Sequence, residues 1–145
     1  MKKICGVLLL VLFLTSVPLA AGGAQRRLEN PPKADLDLTE LNSMMAYTGL
    51  FNIFTDPEAY VGKMIRLRGQ FDCVKDEETG EQLCGVILTD AAACCAVGLD
   101  FVLKSDYEYP RDYPRIGEEI TVMGRFELYR VGEDVFARLT DSDIL

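Results

Sequence analysis

Apolar and polar residues change their spacing along the chain near residue 60, from a helical to an alternating pattern. In the helical part, apolar positions recur three and four residues apart, at Leu41, Met44, Met45, Thr48 and Phe51. With Thr39 as the N-cap, this spacing predicts a helix over residues 40–54. A stripe of Met and aromatic side chains is typical of a helix face in the core, so we expect this face to be buried.

The alternating part contains an internal repeat. Residues 61–72 align without gaps on residues 116–127, and both segments read apolar-G-x-x-I-x-apolar-x-G-x-F-acid. In each copy the Ile, the next aliphatic residue, the second Gly and the Phe are two residues apart, so they share one face of a strand. A glycine inside such a strand predicts a sharp bend or bulge, which small closed barrels need at their corners.

Three further strands are indicated by turn residues and by alternation. One covers residues 82–90 after a turn at 77–80, and another returns through residues 135–139 after a turn at 131–134. The third is marked by Leu99, Phe101 and Leu103. Five strands in about 80 residues predict a mainly β fold, a small five-stranded OB-like barrel with the N-terminal helix packed outside. The alternative is an open antiparallel sheet that the helix covers.

The first 24 residues have the order of an export signal. Lys2 and Lys3 precede an apolar run to about Leu19, and small residues suited to cleavage follow as far as Gln25. We therefore expect a signal peptide over residues 1–24 and an exported, extracytoplasmic protein. The alternative is an uncleaved membrane anchor, because residues 4–24 approach the roughly 20 residues that span a bilayer. In that case we expect the anchor to be the only part of the protein that contacts the membrane. Residues 25–38 are polar and proline-containing, which predicts a flexible stalk before a folded domain at 39–145.

Charge and the missing residue types exclude several function classes. The chain has 15 Lys and Arg against 23 Asp and Glu, and removal of Lys2 and Lys3 leaves 13 against 23. Such an acidic protein repels phosphate backbones, so we expect no nucleic-acid partner. There is no histidine to act as a general base and no C-x-x-C motif, so we expect a protein that is not an enzyme.

The chemistry of the domain depends on four cysteines, Cys73, Cys84, Cys94 and Cys95. Cys73 falls opposite Cys84 in the first predicted hairpin, which favours a disulfide in an oxidising compartment. Cys94 and Cys95 are adjacent, and Cα atoms about 3.8 Å apart are too close for an ordinary disulfide. Four thiolates could instead surround one soft metal ion such as zinc. Both alternatives stay open, together with a thiol–disulfide exchange protein.

Three segments of this chain carry a resemblance to known proteins. They are Y-V-G-K-M-I-R-L-R-G-Q-F, D-A-A-A-C-C-A-V-G-L-D-F and Y-P-R-I-G-E-E-I-T-V-M-G-R-F-E-L-Y. The chain resembles a group of exported bacterial OB-like proteins. It is also similar to the extracytoplasmic domain of predicted permease-accessory membrane proteins, which carry a Cys-Cys pair and are linked to metal homeostasis. This resemblance implies an envelope module with a role in metal binding. An alternative is a structural interaction module that binds a protein or a glycan through its barrel face or through the loop with Tyr107, Tyr109 and Tyr113.

Overall fold

The computed structural model describes residues 33–77 and 79–145. Its elements in chain order are β1 (Leu36–Asp37), α1 (Ser43–Thr55), a 3-10 turn (Pro57–Tyr60), β2 (Met64–Lys75), β3 (Gln82–Thr89), β4 (Ala96–Leu103), β5 (Glu119–Val131) and β6 (Asp134–Ile144). The prediction of a mainly β fold with one α-helix is confirmed. The predicted signal peptide and most of the predicted stalk lie outside the described residues. Within the described ranges, neither helix is long and apolar enough to cross a membrane.

The strands form one mixed six-stranded sheet in the order β1-β2-β3-β4-β6-β5. Strand β2 pairs with both β3 and β5. The strand pairings therefore run from β2 through β3, β4, β6 and β5 and back to β2. The β1–β2 and β4–β6 pairs are parallel, and the other pairs are antiparallel. The inward side chains of all five long strands meet in one core with the buried face of α1.

The two copies of the internal repeat pair with each other in the antiparallel β2–β5 ladder. Equivalent positions of the two copies, Leu67 and Val122, are direct partners in that ladder. On either side of them, the Ile of one copy faces the Gly of the other, as Ile65 with Gly124 and Gly69 with Ile120. The two copies are therefore related by a local two-fold axis between the strands.

Hydrogen bonds at the two ends of this ladder repeat the same symmetry. The N–H of Gly62 donates to the carbonyl of Phe126 at 2.8 Å, and the N–H of Gly117 donates to the carbonyl of Phe71 at 2.7 Å. Gly62 and Gly117 have φ values of 82° and 83°, a region that favours glycine. The first glycine of each repeat thus shapes the turn that leads into its strand.

The second glycine of each repeat lies where the returning strand of its own hairpin passes closest. A Cβ atom on Gly69 would clash with the carbonyl oxygen of Ile87 in β3. A Cβ atom on Gly124 would clash with the hydroxyl of Ser142 and lie 2.9 Å from the Leu139 Cβ atom, both in β6. The predicted bulge is found at Gly124, where the β5–β6 register shifts between Met123 and Arg125, whereas the register of β2 with β3 and β5 runs through Gly69 without a shift.

Helix α1 begins later than predicted. The N-cap is Asn42, whose side-chain oxygen accepts a hydrogen bond from the N–H of Met45 at 3.0 Å. Thr39, the predicted N-cap, instead donates its N–H and hydroxyl to the carboxylate of Asp37. Thr39 therefore closes a local turn after β1, and the helix begins at Ser43.

The predicted core face of α1 is wrong. Met44, Met45 and Phe51 are more than half exposed, and the buried face of the helix is formed by Ala46, Leu50 and Ile53. The residues of this second face are also three and four positions apart, so spacing alone did not distinguish the two faces. The small residues decide the outcome, because Gly49 lets the side chain of Leu38 approach the helix closely.

The last residues of the predicted stalk belong to the folded domain. Strand β1 lies parallel to the start of β2, and the N–H of Leu38 donates to the carbonyl of Arg66 at 2.8 Å. The carboxylate of Asp37 forms an ion pair with the Arg66 guanidinium, while Leu38 is only 2% exposed. The stalk prediction therefore extends too far, because a two-residue strand held by contacts with distant residues leaves no periodic pattern in the sequence.

Candidate functional site

The β3–β4 connection folds into a tight turn that Asp90 organises. Its side-chain oxygen Oδ1 accepts a hydrogen bond from the N–H of Cys94 at 2.9 Å. Its own N–H donates to the carbonyl of Cys95, and its carbonyl accepts from the N–H of Ala93, both at 3.0 Å. Aspartate is favoured at such positions because its short side chain reaches the backbone of its own turn. The turn places the two cysteines together at its exposed end.

Three possible metal ligands converge in this loop, which we call the thiol loop (residues 90–95). The sulfur atoms of Cys94 and Cys95 are 3.7 Å apart, and the sulfur of Cys94 is 3.0 Å from Oδ2 of Asp90. One ligand atom from each of the three residues lies within 4.8 Å of the others. Sequence reasoning singled out both cysteines but missed Asp90. The available signal was the aspartate at the end of the predicted strand, since aspartate side chains often bind the backbone of the turn that follows them.

The charges in the thiol loop act on each other. The hydrogen bond to the Asp90 carboxylate raises the pKa of the Cys94 thiol, and the neighbouring Cys95 sulfur and the negative charge of Asp90 add to this effect. In return, the hydrogen bond from Cys94 lowers the pKa of Asp90. At neutral pH the loop therefore combines a protonated thiol with an ionised carboxylate. A metal cation would take the place of the shared proton, because thiol ligands bind as thiolates.

We expect the Asp90→Asn substitution to increase the alkylation rate of Cys94 near pH 8. The substitution removes the negative charge and the strong acceptor that favour the protonated thiol, so the pKa of Cys94 falls and its thiolate fraction rises. Iodoacetamide labelling followed by peptide mass spectrometry measures this rate. Glu133→Gln, in the β5–β6 turn, is the matched control and should leave the rate unchanged. An equal or slower rate in Asp90→Asn would contradict the assigned hydrogen bond.

Cys73 and Cys84 are joined by a disulfide, and they are direct partners in the β2–β3 ladder. The prediction that they lie opposite each other is confirmed. The predicted four-cysteine metal site does not form here, because sulfurs in a disulfide have no thiolate to offer a metal. Distance opposes it too, since Cys84 lies six residues before Asp90 along β3, a span of about 20 Å.

An open groove of about 350 Å³ lies beside the thiol loop. Its walls come from the segment after β1, the start of α1 and parts of β2 and β3, and include Leu38, Ala46, Arg68 and Ile87. Thr89 also lines the groove and directly precedes Asp90. The groove and the thiol loop therefore meet at the end of β3.

The Met and aromatic side chains that were expected in the core form an exposed apolar face on α1. This face contains Met44, Met45 and Phe51, and helix α1 has no charged residue from Ser43 to Thr55. Exposed contiguous apolar surface is characteristic of interaction sites. The structure thus presents two features that a partner could use, the thiol loop and the apolar face of α1.

Comparisons of the chain with known protein families, curated proteins and solved structures return no match.

Proposed function

We propose that this protein is an exported, non-enzymatic OB-like binding module of the bacterial envelope that binds a metal ion such as zinc through the thiol loop. Cys94 and Cys95 would supply two thiolates, and Asp90 would supply a carboxylate oxygen. The observation that carries the proposal is the convergence of these three side chains in one exposed turn, with one ligand atom from each within 4.8 Å of the others.

The ligand spacing supports zinc. Two sulfurs bound at about 2.3 Å to a tetrahedral zinc ion lie about 3.8 Å apart. The sulfurs of Cys94 and Cys95 are already 3.7 Å apart. Three protein ligands leave a fourth position open, which distinguishes an exchangeable site from a closed structural one. The carboxylate also favours a borderline ion such as zinc over copper(I), which prefers sulfur alone.

The five long strands support the OB-like part of this proposal. Their pairings form a closed circuit, β2-β3-β4-β6-β5 and back to β2, in which only β4 and β6 run parallel. A small five-stranded Greek-key barrel is the architecture that such a circuit favours, with α1 packed on its outside. The Cys73–Cys84 disulfide is compatible with export to an oxidising compartment.

The competing redox function has less support from the thiol loop. A reactive cysteine needs a lowered pKa, whereas Asp90 raises the pKa of Cys94. A second candidate is a structural interaction module that has the disulfide and binds no metal. The exposed apolar face of α1, with Met44, Met45 and Phe51, favours this candidate.

We expect anaerobically purified protein to bind one zinc ion per chain with its disulfide intact. Native mass spectrometry after addition of Zn²⁺ measures the stoichiometry. Cys94→Ser and Cys95→Ser should abolish binding, and Asp90→Asn should weaken it by at least about tenfold. The control variant Glu133→Gln removes an exposed carboxylate outside the thiol loop, and it should bind zinc as the unaltered protein does.

Alkylation provides a second, independent readout of the same site. Bound zinc should protect Cys94 and Cys95 from iodoacetamide, and a chelator should restore labelling. Labelling that is equally fast with and without zinc, together with no zinc in the native mass, would overturn the metal proposal. Loss of zinc binding in the Glu133→Gln control would show that the bound ion is not held by the thiol loop.

A further inference from the structure

The outer face of β4, β5 and β6 carries a carboxylate without a partner. Asp100 lies directly beside Arg138 in the β4–β6 ladder. The Arg138 guanidinium, however, is bound to Glu127 at 2.6 Å and lies 4.5 Å above the ring of Tyr129. Among the described residues, the Asp100 carboxylate forms no hydrogen bond or ion pair. The cation next to Asp100 in the ladder is therefore directed toward Glu127 and Tyr129.

The Asp100 carboxylate packs against the neighbouring strand β3. The partner of Asp100 in β3 is Gly85, and a Cβ atom at that glycine would lie 3.2 Å from Oδ1 of Asp100. At Gly98, two residues earlier on the same face of β4, the side chain of Ile87 occupies the space where a Cβ atom would lie. Burial raises the pKa of Asp100, which shows that water solvates this carboxylate poorly. The carboxylate is thus half-buried on the sheet face, where an added hydrogen-bond donor would be favourable.

An exposed aromatic ring lies on the same sheet face as Asp100. Phe136 is 44% exposed, and its ring is 5.6 Å from that of Tyr129. Phe136 lies two residues before Arg138 on the same face of β6, one row from Asp100. The same sheet face already holds a guanidinium between a carboxylate and a ring, in the group formed by Arg138, Glu127 and Tyr129. Asp100 and Phe136 provide a second carboxylate and a second ring without the guanidinium.

We propose that Asp100 and the Phe136 ring form a binding site for the guanidinium group of an arginine side chain on a basic peptide. Asp100 accepts its hydrogen bonds, and the ring of Phe136 contacts its planar face. Charge complementarity supports this ligand class, since the chain has a net charge of −8 and attracts basic partners. The site is separate from the thiol loop and does not depend on metal binding.

Titration with N-acetyl-argininamide, followed by the backbone amide signals of ¹⁵N-labelled protein, tests the site. A chelator in the buffer keeps metal out of the thiol loop. We expect saturable shifts for residues 98–102 and 136–138. N-acetyl-glutaminamide, which has similar length and no charge, should produce none. Equal shifts with the glutamine compound, or no saturable shift with the arginine compound, would overturn the proposal.

Two variants and one control locate the binding group. Asp100→Asn keeps the side-chain shape and should weaken binding by about tenfold, the effect of losing a charge-assisted hydrogen bond. Phe136→Ala, which removes the ring and keeps the Asp100 carboxylate, should also weaken binding. Asp134→Asn, at the start of β6, should bind as the unaltered protein does. Unchanged affinity in both variants, or saturable binding of a neutral chitooligosaccharide in place of the arginine compound, would refute the assignment.

Discussion

Replacing Gly124 by valine is expected to lower the free energy of unfolding by about 3 kcal/mol, the upper end of the usual cost of overpacking a core. The new side chain would collide with Ser142 and with the backbone oxygen of Thr140, which lies 2.9 Å from the position of its Cβ atom. These atoms belong to the paired strand β6 and cannot move without breaking the ladder. Thermal and urea unfolding, followed by circular dichroism, measure the change.

The control for this variant is Gly80→Asn in the β2–β3 connection. Gly80 has a φ of 73°, which asparagine tolerates better than other side chains, and its nearest neighbour would be Lys75 at 3.9 Å. We expect a loss of less than about 1 kcal/mol. Similar stability losses in Gly124→Val and Gly80→Asn would contradict the close approach of β6 to Gly124.

Removal of the disulfide by Cys73→Ala and Cys84→Ala together is expected to cost about 3 kcal/mol. The two residues are 11 positions apart, and a crosslink around a loop of this size restricts the unfolded chain by about that amount. The fold should survive, since the pair lies within a continuous β2–β3 ladder. Urea unfolding of the double variant against the unaltered protein measures the difference.

Cys94→Ala with Cys95→Ala is the matched control, because both side chains are exposed and lie outside the core. This variant should unfold at the same urea concentration as the unaltered protein in the absence of metal. A thiol count under denaturing, non-reducing conditions should give two free thiols in the mature protein, both in the thiol loop. Four titratable thiols, or equal stability of the two double variants, would contradict the disulfide.

The strands of the repeat could be predicted from sequence because period-two alternation was continuous and occurred twice. Ile65, Leu67 and Phe71 are all at most 1% exposed, as expected for one inward face. The register of the first hairpin was also predictable, since a short turn determines which residues lie opposite each other. That register placed Cys73 opposite Cys84, which the structure confirms.

The helix face and the composition of the candidate site could not be predicted in the same way. Helix α1 has two apolar stripes, and the choice between them depends on Leu38, the residue after β1, which packs against Gly49. Asp90 joins the cysteines only because the turn folds back on its carboxylate. The expected grouping of Cys84 with Cys94 failed because the extended strand β3 separates them. Each of these outcomes depends on tertiary contacts that no local pattern contains.

The β2–β5 ladder bears on the origin of the fold. A strand whose partner is a copy of itself is self-complementary, so one sequence suffices to specify both sides of the pairing. Each copy also leads into a hairpin, β2 with β3 and β5 with β6, and the second glycine of each repeat makes room for the returning strand. Two identical hairpin peptides could therefore assemble as a symmetric pair through the same contacts. Duplication and fusion of one ancestral hairpin would account for this part of the chain.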